Sequence, residues 1–258
     1  MTDWLTALTS DNRLPPARAS GFVLITFAEN REYQTRRHLM KIFDISRALS
    51  NNLAPWPGDT PFHFELKWKM AEGATVNVGA INMGVHNGTH ADAIFHFDPD
   101  GETIENMPLE TYVGDAVVVD LTKNFGGAGD GFDRTQQINL ADFESASAAL
   151  ERAPRLLLRT GVWKDSTVFP DWIPVIAPDV PEWLRERGVK LIGLDLPSVD
   201  AIEAKKLVNH HALATAGVAI VESLDLSEVE AGIYHFAALP LKIVGGDGGP
   251  VRAILWRD

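Results

Sequence analysis

Four short apolar runs constrain this chain more than anything else in it. Ala116-Val117-Val118-Val119, Arg155 to Thr160, Val189 to Asp195 and Val218 to Glu222 are too short for buried helices. Each suits a strand buried on both faces. Helical stretches separate them. Asn139 to Arg152 places Leu140, Phe143 and Leu150 roughly on one face, Ala177 to Gly188 ends in a glycine stop, and Leu213 to Gly217 ends in another. This β-α-β order predicts a mixed α/β fold. More strands are expected at Ile42 to Ser46, at Phe62 to Met70 and at Val76 to Val85. The second alternates with period two, which predicts one buried face. Tyr234 to Val244 contains Pro240, so it reads as an edge or bulged strand. Pro250 to Trp256 is expected to close the sheet.

Composition removes several partners. The formal net charge of -12 argues against a nucleic-acid backbone or an anionic membrane surface as partner. No apolar run reaches the roughly 18 residues of a membrane span. No secretory leader is recognisable, so a cytoplasmic protein is expected. The chain has no cysteine, so any metal must be held by His, Asp or Glu. Residues 1–39 carry five arginines and no lysine, and Met40-Lys41-Ile42-Phe43-Asp44-Ile45-Ser46 reads like a fresh start. The expectation is an extension at 1–39, disordered or not native, and one domain at 40–258. A native start at Met1 would refute the second of these alternatives. The glycines of Gly126-Gly127-Ala128-Gly129 lack the Lys-Ser/Thr of a phosphate loop and read as a flexible connection.

The chemistry concentrates in Val85-His86-Asn87-Gly88-Thr89-His90-Ala91-Asp92-Ala93-Ile94-Phe95-His96. Three of the eight histidines and one aspartate fall within eleven residues. Imidazole and carboxylate are the ligands that zinc and manganese take. Gly88 allows the sharp turn that brings His86 to His90. His90 and Asp92, two apart on an extended segment, point the same way. A divalent ion here would lower the pKa of water and polarise a carbonyl, and a hydrolase also needs a proton carrier near pH 7, for which imidazole is suited. A second cluster joins Asn209-His210-His211 to Glu222. Glu222 ends an apolar run, where an unpaired carboxylate would be costly. Trp56 stands between two prolines in Pro55-Trp56-Pro57-Gly58-Asp59-Thr60-Pro61, a stiff loop that either packs it on the core or offers it to a ligand.

The pattern H-x-G-T-H-x-D-x-x-x-H resembles the signature of the cyclase-like metal-dependent hydrolases. Trp56-Pro57-Gly58-Asp59, Ala238-Leu239-Pro240-Leu241-Lys242 and Pro250-Val251-Arg252-Ala253 narrow the resemblance to the bacterial kynurenine formamidase branch. It covers almost all of residues 40–258. The resemblance implies a mixed β-sheet curved into a barrel-like core with flanking helices, a homodimer, and two divalent ions, zinc or else manganese. It implies His86, His90 and Asp92 on one ion, Asp92 and Glu222 bridging to the other, and His210 completing that second site. His96 would be the proton donor and acceptor, and Trp56 would contact the substrate ring. The implied reaction is hydrolysis of the small molecule N-formyl-L-kynurenine to L-kynurenine and formate. A sister activity, opening a cyclic amide such as isatin, is the alternative, and a purely structural metal is a further one. Ile94 stands where the family has proline, and Ser223 where many formamidases have glycine.

Overall fold

The computed structural model describes residues 40–125 and 133–257. The N-terminal extension and the glycine-rich connection at 126–129 lie outside those residues. The strands are β1 (Lys41–Asp44), β2 (His63–Trp68), β3 (Val78–Asn82), β4 (His90–Asp92), β5 (Val113–Asp120), β6 (Arg155–Arg159), β7 (Leu191–Leu194), β8 (Ala219–Glu222), β9 (Gly232–Ala237), β10 (Gly248–Pro250) and β11 (Ile254–Arg257). The helices are α1 (Thr122–Phe125), α2 (Leu140–Phe143), α3 (Ser147–Leu150), α4 (Val180–Glu186) and α5 (Val208–Thr215). Nine strands form one sheet in the order β1-β11-β9-β5-β6-β7-β8-β4-β10. The four apolar runs are its parallel centre, β5 to β8, and the pairings outside that centre are antiparallel.

The period-two side-chain alternation sorts this centre into two cores. Leu156, Leu158, Ile192, Leu194 and Ile220 pack with Phe143, Leu150, Trp183, Leu184 and Leu213 on the helical side. Leu157, Leu191 and Val221 pack on the opposite side with Ala91, Leu224, Phe236 and Leu255. That second core lies inside a curl. β10 pairs with β4 near one end of the sheet, and β11, a few residues later, pairs with β9 and β1 at the other. A bridge between Ser46 and Leu224 ties the ends further. The result is a mixed sheet curled into a half-barrel, with helices on its outer face.

Several local expectations change. Pro250 to Trp256 divides into two strands on opposite ends of the sheet. The stretch from 139 to 152 is not one helix, because Phe143 leaves the helical region (φ -139°, ψ 6°) where its ring is fully buried. Helix α5 starts at Val208, earlier than Leu213, and so carries His210 and His211. β9 stops at Ala237, and Pro240 makes only an isolated bridge to Val251. The largest change concerns β2. It pairs only with β3, outside the main sheet, and all six of its residues are exposed. Alternation identified the strand, but burial of a face needs a second layer, and here none covers it.

Gly193 in β7 has ordinary backbone angles, yet a Cβ there would lie 2.5 Å from Leu157 Cδ2 and 2.8 Å from Leu224 Cδ1. Both belong to the core inside the curl. Gly193→Ala is therefore expected to overpack it and to cost about 1–3 kcal/mol. A urea midpoint shifted down with an unchanged slope would show this; an unchanged midpoint would contradict it.

Candidate metal centre

The centre is built where β4 lies between β8 and β10. Register sets His90 opposite Glu222. Asp92, two residues on, shares the face of His90. All three are nearly fully buried. His86 is delivered by the turn before β4, where Gly88 has φ +67° and a Cβ would lie 2.8 Å from Leu49 Cδ2. Only glycine meets both conditions at that position. Helix α5 brings in His210, also buried. His211, its neighbour, is exposed and does not line the cavity that opens onto the centre; Phe97 packs against both rings (centroids 5.3 Å to His210 and 5.2 Å to His211).

The distances describe one compact cluster. His90 Nε2 lies 3.4 Å from Asp92 Oδ1 and 3.5 Å from Glu222 Oε2. His210 Nε2 lies 3.5 Å from Asp92 Oδ2 and 3.6 Å from Glu222 Oε1. His86 Nδ1 is 3.1 Å from Asp92 Oδ1. Two sets of three groups, His86/His90/Asp92 and Asp92/His210/Glu222, each hold their ligand atoms within 4.8 Å of one another, and the sets share Asp92. A third, more exposed set is His86/His96/Asp247.

These residues fit divalent ions on two observations. Asp92 Oδ2 is buried and has no hydrogen-bond partner, a costly state that a cation would relieve. The two buried histidines also have their outer nitrogens engaged. His90 Nδ1 donates to the Gly88 carbonyl at 2.8 Å, and His210 Nδ1 to Asp200 Oδ2 at 2.7 Å. Each Nε2 is left facing the carboxylates, the atom through which a neutral imidazole would bind a metal.

Electrostatics follow the same pattern. Burial opposes a charge on His90, but hydrogen bonds to Asp92 and Glu222 outweigh it and push the imidazole up to about 10. Burial likewise opposes His210, which Asp200 and Asp92 raise to about 10. Burial alone would lift the Asp92 carboxyl, yet the imidazoles of His210, His86 and His90 around it hold it well below the usual range. Glu222 moves the other way, lifted by burial and by the neighbouring Asp92 charge. Burial and the positive charge of the neighbouring imidazoles lower His96. Its Nδ1 is 3.5 Å from Asp247 Oδ2.

A cavity of about 460 Å³ opens onto this cluster. His86, His90, His96, His210 and Glu222 line one part of it. Trp56, Trp163 and Phe169 line another, with Phe169 edge-on to Trp56 (5.2 Å between centroids) and tilted against Trp163 (5.8 Å). Trp163 is held in turn by buried Arg47, which stacks on its ring at 4.0 Å and donates to the carbonyls of Trp163 and Asp195. The family model for cyclases matches residues 43–201. A kynurenine formamidase of Geobacillus thermodenitrificans is 44% identical over 214 residues, covering 82% of this chain and 95% of that one.

The chain belongs to the cyclase family. A kynurenine formamidase of Bacillus cereus is 42% identical over 212 residues, again 82% of this chain and 95% of the relative. Among solved structures, one titled a potential metal-dependent hydrolase with cyclase activity is 26% identical, with a TM-score of 0.67 over 85% of this chain and 99% of that one. Isatin hydrolase A from Labrenzia aggregata shares the fold at a TM-score of 0.69 and 24% identity, over 84% of this chain and 93% of that one.

The structure thus gathers His86, His90, His96, His210, Glu222 and Trp56 at one cavity of this cyclase-family protein, with Asp92 buried behind it against His90 and His210. Sequence reading missed Asp200, which orients His210, and Asp247, which lies 3.0 Å from His86 Nε2. Gly-Gly-Asp247-Gly-Gly was the available signal for the second, an acid in a glycine-rich segment that can approach closely. A Cβ on Gly248 would indeed lie 2.7 Å from His86 Cε1. Asp200 also accepts from the backbone N–H groups of Asn209 and His210, so it fixes the start of α5 as well as the ring. Asp200→Ala should weaken metal binding by about 10–100-fold, read from competition with a chromophoric chelator. Unchanged affinity would contradict the orienting role.

Proposed function

We propose that this chain hydrolyses N-formyl-L-kynurenine to L-kynurenine and formate, using two divalent ions, zinc or else manganese. The observation that carries the reading is the 44% identity to a kynurenine formamidase along 95% of its length. The shared ligand Asp92 and the aromatic wall of the cavity support it. The isatin hydrolase likeness is one of fold, and it supplies the control substrate. We take residues 40–258 as the hydrolase domain and 1–39 as an extension to it.

In this proposal His86, His90 and Asp92 hold one ion, and Asp92, Glu222 and His210 the other. Bound there, the ions would polarise the formyl carbonyl as Lewis acids and bring the acidity of water near neutrality. The protein's own groups do the rest. Trp56, with Phe169 and Trp163, takes the aryl ring of the substrate and aims its formamide at the cluster. His96, half-buried and braced by Asp247, takes a proton from the attacking water and passes one to the departing aniline nitrogen. Its lowered pKa keeps it neutral, and so able to accept a proton, at pH 7.

Steady-state assays on the metal-loaded protein test this, with isatin run beside N-formyl-L-kynurenine. Fast release of kynurenine and slow isatin opening are expected. Activity on isatin alone would reject the substrate assignment. His96→Ala should keep its metal content and lose about 10²–10⁴-fold in kcat, and an undiminished kcat would reject the proton-carrier role.

A homodimer is part of the same proposal. The β2–β3 hairpin exposes Phe64, Leu66, Trp68, Val78 and Ile81, an apolar density that isolated monomers rarely show. A two-stranded ribbon without a second layer is marginal by itself, so contact with another copy would stabilise it. Sedimentation equilibrium should give twice the chain mass of 28.3 kDa. A single species at the chain mass would contradict it.

A further inference from the structure

The aromatic wall and the ligand cluster account for the ring and the formamide of the proposed substrate, but not for its charged amino-acid tail. Apart from the ligand cluster and His96, the ionic groups that line the cavity are Asp59, Asp247 and Lys205. A carboxylate held away from the cluster, while the formamide occupies it, is stabilised by a cation beside it. Among the described residues lining the cavity, one is a lysine and none is an arginine. It is Lys205. This side chain is exposed at the rim and makes no ion pair with any described acid within 4.0 Å, so its ammonium is available to a ligand. It lies between β7 and α5, in the segment that precedes His210. Leu207, which also lines the cavity, ends that segment in the left-handed region at φ +45°. A non-glycine residue held there marks a backbone fixed by its surroundings. The segment is pinned at both ends of the turn, since Asp200 accepts from the Asn209 and His210 N–H groups at 3.0–3.1 Å.

We infer that Lys205 is a specificity residue of this cavity, pairing its ammonium with the α-carboxylate of an aryl amino-acid substrate. The inference rests on the formamidase reading and names the part of the substrate which that reading leaves unassigned. It explains how one cavity would prefer a charged, open-chain amino acid over a neutral ring such as isatin.

The test compares two substrates, N-formyl-L-kynurenine and formylkynuramine, the analogue with hydrogen in place of the carboxylate. Wild type should prefer the first. Lys205→Met should lower that preference by about 10-fold or more, the size of a lost charge-assisted hydrogen bond. The change should fall in KM for the carboxylate substrate. Lys205→Arg, which keeps the charge, should retain most of the preference. An equal loss on both substrates would mark Lys205 as merely structural, and an unchanged preference would remove it from recognition; either overturns the inference alone. If wild type turns over neither substrate, the formamidase reading falls, and this inference falls with it.

Discussion

Two carboxylates share one buried face of this sheet, and their mutual repulsion sets the terms for the surrounding structure. Asp92 and Glu222 are each about 4% exposed. Their ligand atoms fall within 4.8 Å of each other. At that separation two unit charges repel by about 3–4 kcal/mol, even at an effective dielectric of about 20. Three imidazoles surround the pair, and still Asp92 Oδ2 lacks a partner. The antiparallel register that causes this repulsion is the same register that closes the curl. In the proposed enzyme divalent cations would complete so charged a site, and that requirement would join fold and chemistry in a single constraint.

The outer hydrogen bonds show how the fold prepares for this. Gly88 turns the chain and also offers its carbonyl to His90. Asp200 holds the first turn of α5 and the ring of His210 together. Thr89 receives the Arg47 N–H at 2.8 Å and donates to the Ser223 carbonyl at 2.6 Å, linking the ligand turn to the strand end that carries Glu222. Ser223 itself sits at φ +58°. The chain tolerates a left-handed serine, at a cost of about 1–2 kcal/mol, directly after Glu222. Strain of that kind collects at functional positions.

Which parts of this were readable in the sequence follows from distance along the chain. His86, His90, Asp92 and His96 are close enough in sequence for a turn and an extended segment to join them. The parallel centre was readable because strands buried on both faces are apolar throughout. Glu222 stood out as a charge at the end of such a run. By contrast, Asp247 reaches His86 only because β10 pairs with β4. Asp200 matters only once α5 begins at Val208, and Asn209-His210-His211 gives weak helical signal. Phe169, with Trp163 on its other side, meets Trp56 across more than a hundred residues, through a wall no local pattern describes. The hairpin's exposed faces could not be foreseen either, because alternation reports a strand and says nothing of what covers it.

The central claim is that Asp92 lies between two ions. Crystals of the zinc-loaded protein, measured on both sides of the zinc absorption edge, test it directly. The account predicts two anomalous peaks a few ångströms apart, one beside His86 and His90 and the other beside His210 and Glu222, with the Asp92 carboxylate between them. A single peak, or a peak pair that excludes Asp92, would contradict it.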